Sequence, residues 1–236
     1  MSSGSNLIGK VLAPALRFWL RSQVAAVKTL ELDIEGQDGQ ILRGHVPGVQ
    51  LNTEQALYRG LQLGKVLLRG ENIRINMGQI IKGKPLRLLE PIQVWGTVQL
   101  SAQDLQASLT SELLSSALQE LLVTLLQNQG IEDAPQQLAA YTFTWQAIAL
   151  QEQGFTLQGW TALNQETPVP LVICAQLSLG DGKTLYLRHL NLEGVPLLGS
   201  GKIADITLDL GTDVELESIN LSSEELSCLG RLLIRP

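Results

Sequence analysis

Residues 101–127, SAQDLQASLTSELLSSALQELLVTLLQ, form the one long helical pattern in a chain that otherwise alternates like β-strand. Ser101 and Asp104 match a capping box, in which a hydroxyl and a carboxylate pair with backbone N–H groups of the first helical turn. Residues 128–130, Asn-Gln-Gly, tolerate the left-handed conformation found at helix ends. The sequence therefore predicts a central helix over residues 102–127, around which the remaining chain must pack.

The leucines of this predicted helix form two stripes. Leu105, Leu109 and Leu113 lie on one side, whereas the later leucines lie roughly opposite when wound at about 100° per residue. Either the helix breaks around residues 111–116, or it is apolar nearly all round and is covered by sheet. Two interpretations remain open for this helix. Either all its leucines pack in the protein core, or part of its leucine surface faces an apolar ligand. The candidate lipid-contacting residues are Leu109, Leu113, Leu114, Leu118, Leu121, Leu122 and Leu125.

Residues 1–28 predict an N-terminal amphipathic helix, separate from a single α+β domain over residues 29–236. Its four cations fall within about 40° of one another, opposite its apolar residues. This layout is typical of a helix lying in the plane of a membrane, although a helix packed on the domain shows it too. The predicted membrane-contact residues are Lys10, Leu12, Leu16, Arg17, Trp19, Arg21 and Lys28, with Lys82 and Lys84 from the loop at 78–91.

From residue 29 onward the apolar period changes to two, which indicates strands. The pattern predicts a hairpin turn at residues 37–39 and a short helix at 53–59. It also predicts a β-bulge at Arg188 and His189, where the alternation slips phase. The predicted strands cover residues 30–34, 40–46, 61–77, 93–100, 140–151, 155–163, 169–179, 183–193, 206–210, 214–221 and 231–234, with the four between 140 and 193 forming an antiparallel meander.

The pattern L-S-x-x-[DE]-L occurs twice, at residues 100–105 and 221–226, each time after a predicted strand. In the first copy it is the capping signal of the central helix. The repetition has two explanations, chance or a duplicated half-domain, and the sequence leaves both open.

Composition excludes several classes of function. The net charge of −6 argues against nucleic acid as a partner. Residues 1–90 hold twelve Lys and Arg against seven Asp and Glu, whereas the remainder is strongly acidic. No window of about 18 residues is apolar enough to span a bilayer, and the charges within the first apolar run are atypical of a signal peptide. Cys174 and Cys228 lie far apart, which indicates free thiols in a reducing compartment.

The sequence carries no recognisable catalytic or metal-binding motif. His45 and His189 lie in separate strand patterns without a metal-ligand neighbour, and no GxSxG elbow is present. The glycine-rich residues 199–204 lack both the helix that a dinucleotide fingerprint needs and the hydroxyl residue of a phosphate loop. We therefore expect no enzyme activity, no cofactor and no metal.

Residues 56–91, ALYRGLQLGKVLLRGENIRINMGQIIKGKPLRLLEP, residues 98–114 and residues 209–236 together resemble the LmeA family of phospholipid-binding proteins, in particular its intracellular branch in photosynthetic bacteria. The resemblance covers nearly the whole chain. It implies a highly twisted antiparallel sheet wrapped around a long helix, as in TULIP-like lipid-binding domains. It also implies an apolar groove for acyl chains, and lipid binding without catalysis.

Two hypotheses for function follow. The first is a peripheral membrane protein that binds, and in a stronger form transfers, a phospholipid or another acyl lipid between the central helix and the sheet. Such a protein would lie on the cytoplasmic, inner face of a plasma or thylakoid membrane. The second is a non-catalytic scaffold or assembly factor with a self-packed core and a protein partner. The sequence leaves the lipid species and the oligomeric state open.

Overall fold

The computed structural model describes residues 8–164 and 166–236, and it confirms an α+β protein built mainly from antiparallel sheet. A π-helical turn, Ile8–Leu12, precedes the first α-helix. The helices are α1 (Ala13–Gln23), α2 (Asp38–Leu42), α3 (Met77–Ile80), α4 (Ala102–Ala107), α5 (Glu112–Asn128) and α6 (Ala134–Leu138). The strands are β1 (Ala26–Glu35), β2 (His45–Tyr58), β3 (Leu61–Arg74), β4 (Ile92–Ser101), β5 (Tyr141–Gln151), β6 (Gly154–Leu163), β7 (Val169–Leu179), β8 (Thr184–Glu193), β9 (Gly201–Lys202), β10 (Ile206–Asp209), β11 (Val214–Leu221) and β12 (Glu225–Ile234).

The strands form two sheets, where the sequence had predicted one sheet wrapped around a helix. The first sheet has the order β1-β2-β3-β4-β12-β11, and the second has the order β10-β8-β7-β6-β5 with β9 against β8. The last strand, β12, pairs with β4 from Ser101–Glu225 to Ile92–Ile234. The first sheet is therefore assembled from both ends of the chain.

The predicted continuous helix over residues 102–127 is wrong, and the chain follows the alternative of a broken helix. Residues 108–111, at the start of the stretch where a break was expected, divide it into α4 and α5. Ser101 and Asp104 form the predicted capping box at the start of α4. Ser111 begins a new helix, since its hydroxyl accepts a hydrogen bond from the Leu114 N–H at 3.1 Å. The break lets Leu105 of α4 pack between the two sheets, while Leu109 and the leucines of α5 pack against the second sheet, so neither helix needs to be apolar all round.

The linker between α4 and α5 is tied to the first sheet. Ser108, which is fully buried, accepts a hydrogen bond from the Gln62 N–H of β3 at 2.8 Å and donates one to the Asp104 carbonyl at 2.6 Å. Gly60 lies against Ser111, where a Cβ on the glycine would come within 2.9 Å of the serine Cβ. These contacts hold the helix break against the β2–β3 turn.

The N-terminal helix is shorter than predicted. It ends at Gln23, and Lys28 lies in β1. Lys28 therefore does not share the basic face of α1. Residues 1–7, which the prediction also assigned to this helix, lie outside the described part of the chain.

Two local predictions in the first sheet are wrong. The expected helix at residues 53–59 is the continuation of β2, which ends in a two-residue turn with positive φ at both Arg59 and Gly60, the geometry that suits a tight hairpin. The expected hairpin turn at residues 37–39 is instead the start of α2, where Gln37 and Gln40 form a reciprocal cap. Ile41 of α2 is completely buried, so packing on the sheet favours the helix.

The meander of β5 to β8 is confirmed, as is its bulge. The β7–β8 register shifts between Cys174 and Gln176, and opposite them His189 has a positive φ of 52°. The His189 N–H donates to the Asp205 carboxylate at 3.1 Å. The bulge is thus held by a side chain outside the ladder.

The core has three connected parts. The first lies between α5, α6 and the second sheet, and the second lies between α1, α2, α3 and the first sheet. A smaller third part, which includes Leu100, Leu105, Leu150 and Leu221, joins the two sheets. The apolar residues are therefore divided between two sites, one under each group of helices.

We expect Ser108→Ala to lower the free energy of unfolding by about 1–3 kcal/mol, because the Gln62 N–H loses its partner in a half-buried place. Chemical denaturation followed by circular dichroism measures this change. Ser116→Ala, at an exposed position of α5, is the control and should shift stability by less than about 0.5 kcal/mol. Equal stability of the two variants would show that the hydrogen bond between Ser108 and Gln62 does not stabilise the fold.

Candidate functional site

An apolar groove lies on the first sheet, and α1 covers it. Its floor comes from β2, β3 and β4 with one residue of β12, and one wall comes from the segment after α3. The lining positions depart from a strict two-residue period, since Val46 and Val49 of β2 are three residues apart, as are Gly70 and Ile73 of β3. The floor and wall residues are Val46, Val49, Leu51, Leu68, Gly70, Ile73, Ile75, Leu86, Leu88, Ile92, Val94 and Ile234.

The roof of the groove is the apolar face of α1 together with Leu12, the last residue of the π-helical turn that precedes it. Leu12, Leu16, Trp19 and Leu20 recur at the spacing of one helix face and line the groove. Leu12 is 1% exposed, so this end of the roof is closed against water. The remaining cavity has a volume of about 100 Å³. With α1 in place, the groove is a nearly filled hydrocarbon slot.

The opposite face of α1 is cationic and open to solvent. Lys10, Arg17 and Arg21 are exposed there, and Phe18 beside them is 74% exposed. Among the residues that the structure describes, none of these three cations takes part in an ion pair. The residues predicted to contact a membrane are therefore split, since Leu12, Leu16 and Trp19 face the groove and the three cations face outward.

A second cavity, which we call the vestibule, adjoins the groove. Its volume is about 640 Å³, and it shares Trp19, Leu86, Leu88 and Ile234 with the groove. Unlike the groove, it has polar lining, and this is where charged groups meet the apolar slot. The other residues that line it are Asn76, Gln79, Arg87, Leu89, Arg235 and Pro236.

The buried side chain of Asn76 shapes the vestibule wall. Its Oδ1 accepts a hydrogen bond from the Arg87 N–H at 2.7 Å, and its Nδ2 donates to the Pro85 carbonyl at 2.9 Å. The Asn76 N–H also donates to the Arg87 carbonyl at 3.2 Å. The loop after α3 is therefore clamped at Arg87, while the predicted contact residues Lys82 and Lys84 are exposed in the part of the loop that precedes Arg87.

The two arginines of the vestibule differ in their pairing. Arg235 donates two hydrogen bonds to the Asp213 carboxylate, at 2.7 and 3.2 Å. These bonds hold the pKa of Asp213 below its ordinary value. Within the described residues, Arg87 is exposed and takes part in no ion pair. The vestibule therefore has one compensated and one uncompensated guanidinium group.

The predicted lipid-contacting leucines lie elsewhere. Leu109, Leu118, Leu121, Leu122 and Leu125 are buried in the core against the second sheet, and Leu113 and Leu114 are half-buried. None of these seven lines the groove or the vestibule. Their assignment as lipid contacts stays a prediction, and the fold places these leucines away from the groove and the vestibule.

Sequence reasoning missed the floor of the groove. Val46, Val49 and Leu51 belong to one strand, but the pair Pro47-Gly48 puts Val46 and Val49 three residues apart and so interrupts the apolar alternation. The signal that could have found them is the pairing of three long strand patterns beside an amphipathic helix, since such a sheet needs a cover on one face.

The chemistry of the groove is limited to apolar contact. Its lining residues in the described part of the chain are hydrocarbon side chains, glycine or the indole of Trp19, so none of them offers an acid, a base or a metal ligand. Within residues 8–164 and 166–236, no cluster of three or more His, Cys, Asp or Glu could hold a metal. In the same part of the chain, no helix is long and apolar enough to cross a bilayer.

A concave apolar slot with a few polar groups at one end is the kind of site in which proteins hold apolar ligands. The chain matches the model of the LmeA-like phospholipid-binding family over residues 4–231, and it belongs to that family. The resemblance to the LmeA family seen in the sequence is thereby confirmed at the level of the family. No curated protein and no solved structure matches the chain.

We expect Leu12→Asp to release α1 from the groove. Burial of a leucine contributes about 1.5–3 kcal/mol, so losing it should raise the undocked population roughly tenfold or more. Trypsin should then cleave faster after Arg17 and Arg21, and a dye that binds exposed apolar surface should fluoresce more strongly.

Phe18→Asp is the matched control, because it introduces the same charge on the exposed face of the same helix. It should behave like the unchanged protein in both assays. If Leu12→Asp also leaves cleavage and dye binding unchanged, α1 is not held by its apolar face.

Proposed function

We propose that this protein binds a phospholipid with acyl chain carbons in the groove beneath α1, and that it works at a membrane surface. The observation that carries the proposal is the hydrocarbon slot with a polar vestibule at one end, in a chain of a phospholipid-binding family. An amphiphilic ligand has the same two parts in the same order. Transfer of the lipid between membranes is an extension of this proposal.

Burial of an acyl chain supplies a large gross free energy, part of which replaces the apolar contacts that α1 gives up. Each methylene moved from water into a hydrocarbon environment contributes about 0.8 kcal/mol, so about twelve contribute ~10 kcal/mol. The slot has the composition to supply this, because its lining is almost wholly apolar. Binding does not need a charged group within the groove.

The space for an acyl chain has to come from α1. Ligand pockets of proteins enclose about 300–1,000 Å³, whereas the slot under α1 has a volume of about 100 Å³. The apolar face of α1 therefore occupies much of the volume that hydrocarbon would fill. We propose that α1 shifts or lifts when lipid enters, so that lipid carbons replace Leu16 and Trp19 on the sheet.

The outward face of α1 is proposed to dock on an anionic leaflet. Lys10, Arg17 and Arg21 provide three exposed cations, and Phe18 provides an exposed aromatic ring between them. Each cation near an anionic surface contributes about 1 kcal/mol, which by itself supports weak, reversible attachment. Both cysteines are free thiols, which favours the cytoplasmic side of the membrane.

The proposal is tested with a phospholipid that carries a photoactivatable group on its acyl chain. After irradiation and proteolysis, mass spectrometry should find the label on peptides of α1, β2, β3 and β4. Label confined to residues 109–126 would instead support the leucines of α5 as the contacts. No label and no co-purified lipid would favour the scaffold function.

We expect Val49→Trp to reduce labelling at least severalfold, because the larger side chain fills the floor of the groove. Val172→Trp in β7 is the control, since it makes the same change at a half-buried position on the second sheet. Thermal unfolding shows whether both variants remain folded. Equal labelling of the two would contradict the groove as the acyl site.

We expect replacement of Lys10, Arg17 and Arg21 by Gln to weaken flotation with vesicles that contain phosphatidylglycerol. The loss of about 3 kcal/mol corresponds to roughly a hundredfold weaker binding. The control replaces three exposed lysines elsewhere, Lys65, Lys183 and Lys202, by Gln. Equal loss in both variants would show a net-charge effect without a docking face.

A further inference from the structure

The geometry points to a site for the phosphate of the lipid headgroup in the vestibule, with Arg87 as its principal ligand. This inference rests on the proposed function, because it assigns the polar end of the same ligand. The vestibule shares four residues with the groove, so a molecule with its tail in the slot has its polar end beside Arg87. The ligand class is therefore a phosphate monoester or diester of a glycerolipid.

The same short segment supplies contacts for both ends of the ligand. Leu86 and Leu88 line the groove and the vestibule, whereas Arg87 lines the vestibule alone. Leu86 is buried and Arg87 is exposed. The boundary between hydrocarbon and water thus runs along residues 86–88.

The backbone of Arg87 is fixed while its side chain is uncommitted. Asn76 bonds both the N–H and the carbonyl of Arg87, at 2.7 and 3.2 Å. Asn76 is 8% exposed, so water competes little for these bonds. Because its backbone is already fixed, Arg87 loses only side-chain freedom when its guanidinium binds an anion.

The electrostatics of the vestibule favour an anion. Among its described lining residues there is no Asp or Glu side chain, and there are two guanidinium groups. Arg235 is paired with Asp213. Of the two vestibule arginines, Arg87 is therefore the one without a carboxylate partner among the described residues. A planar guanidinium matches two phosphate oxygens at once, which a lysine ammonium does not.

The test compares two soluble short-chain lipids with identical tails, dioctanoyl phosphatidic acid and dioctanoylglycerol, by isothermal titration calorimetry. The full chain should bind phosphatidic acid more tightly. Arg87→Gln should weaken binding of phosphatidic acid roughly tenfold or more and leave dioctanoylglycerol unchanged. Arg59→Gln, which makes the same change in the β2–β3 turn, should leave both affinities unchanged.

Three results would overturn the inference. If both lipids bind and Arg87→Gln changes neither affinity, the acyl groove stands and the phosphate site does not. If inorganic phosphate binds at Arg87 as tightly as phosphatidic acid does, the vestibule is a free-anion site. If neither lipid binds to the unchanged protein, the proposed function fails and the phosphate site fails with it.

Discussion

The pairing of β12 with β4 is the interaction on which the rest of the structure depends. It joins the last strand of the chain to the middle of the first sheet along the full length of both strands. The ladder places Ile234 on the floor of the groove and Arg235 at the vestibule. It also places β11 at the sheet edge, where Leu221 packs into the core that joins the two sheets. A long-range pairing thus completes the site, although most of the lining residues lie within the first third of the chain.

The second organising feature is the division of the apolar residues between two covers. The leucines of α5 pack against one face of the second sheet, and five of them are less than 9% exposed. Among the residues that the structure describes, α1 and two short helices lie over the apolar face of the first sheet. Because α1 is short and its outer face is cationic, its packing is less extensive than that of α5. This asymmetry supports the proposed entry of ligand under α1, in preference to a site beside α5.

Much of the fold followed from local patterns. The meander of β5 to β8 and its bulge at His189 were predictable, because turn residues separate clear alternations there and the phase slip is visible in the sequence. The predictions of a helix at residues 53–59 and of an unbroken central helix were wrong. In β2, cross-strand partners override weak local preferences, and at Ser108 a hydrogen bond to Gln62 of β3 holds the break. The site was only partly predictable: Leu12, Leu16 and Trp19 were recognised as one apolar face, but not as the roof of a groove.

The sequence by itself determined the strand periods, the amphipathic face of α1, the capping box at Ser101 and the family to which the chain belongs. Each depends on residues close in the chain or on a pattern spread along it. The tertiary structure decided which helices cover the apolar face of each sheet. The motif L-S-x-x-[DE]-L shows the difference, since it begins α4 at Ser101 but leads into strand β12 after Ser222. The reason is that the second copy pairs with β4, and a ladder partner distant in sequence outweighs a local capping signal.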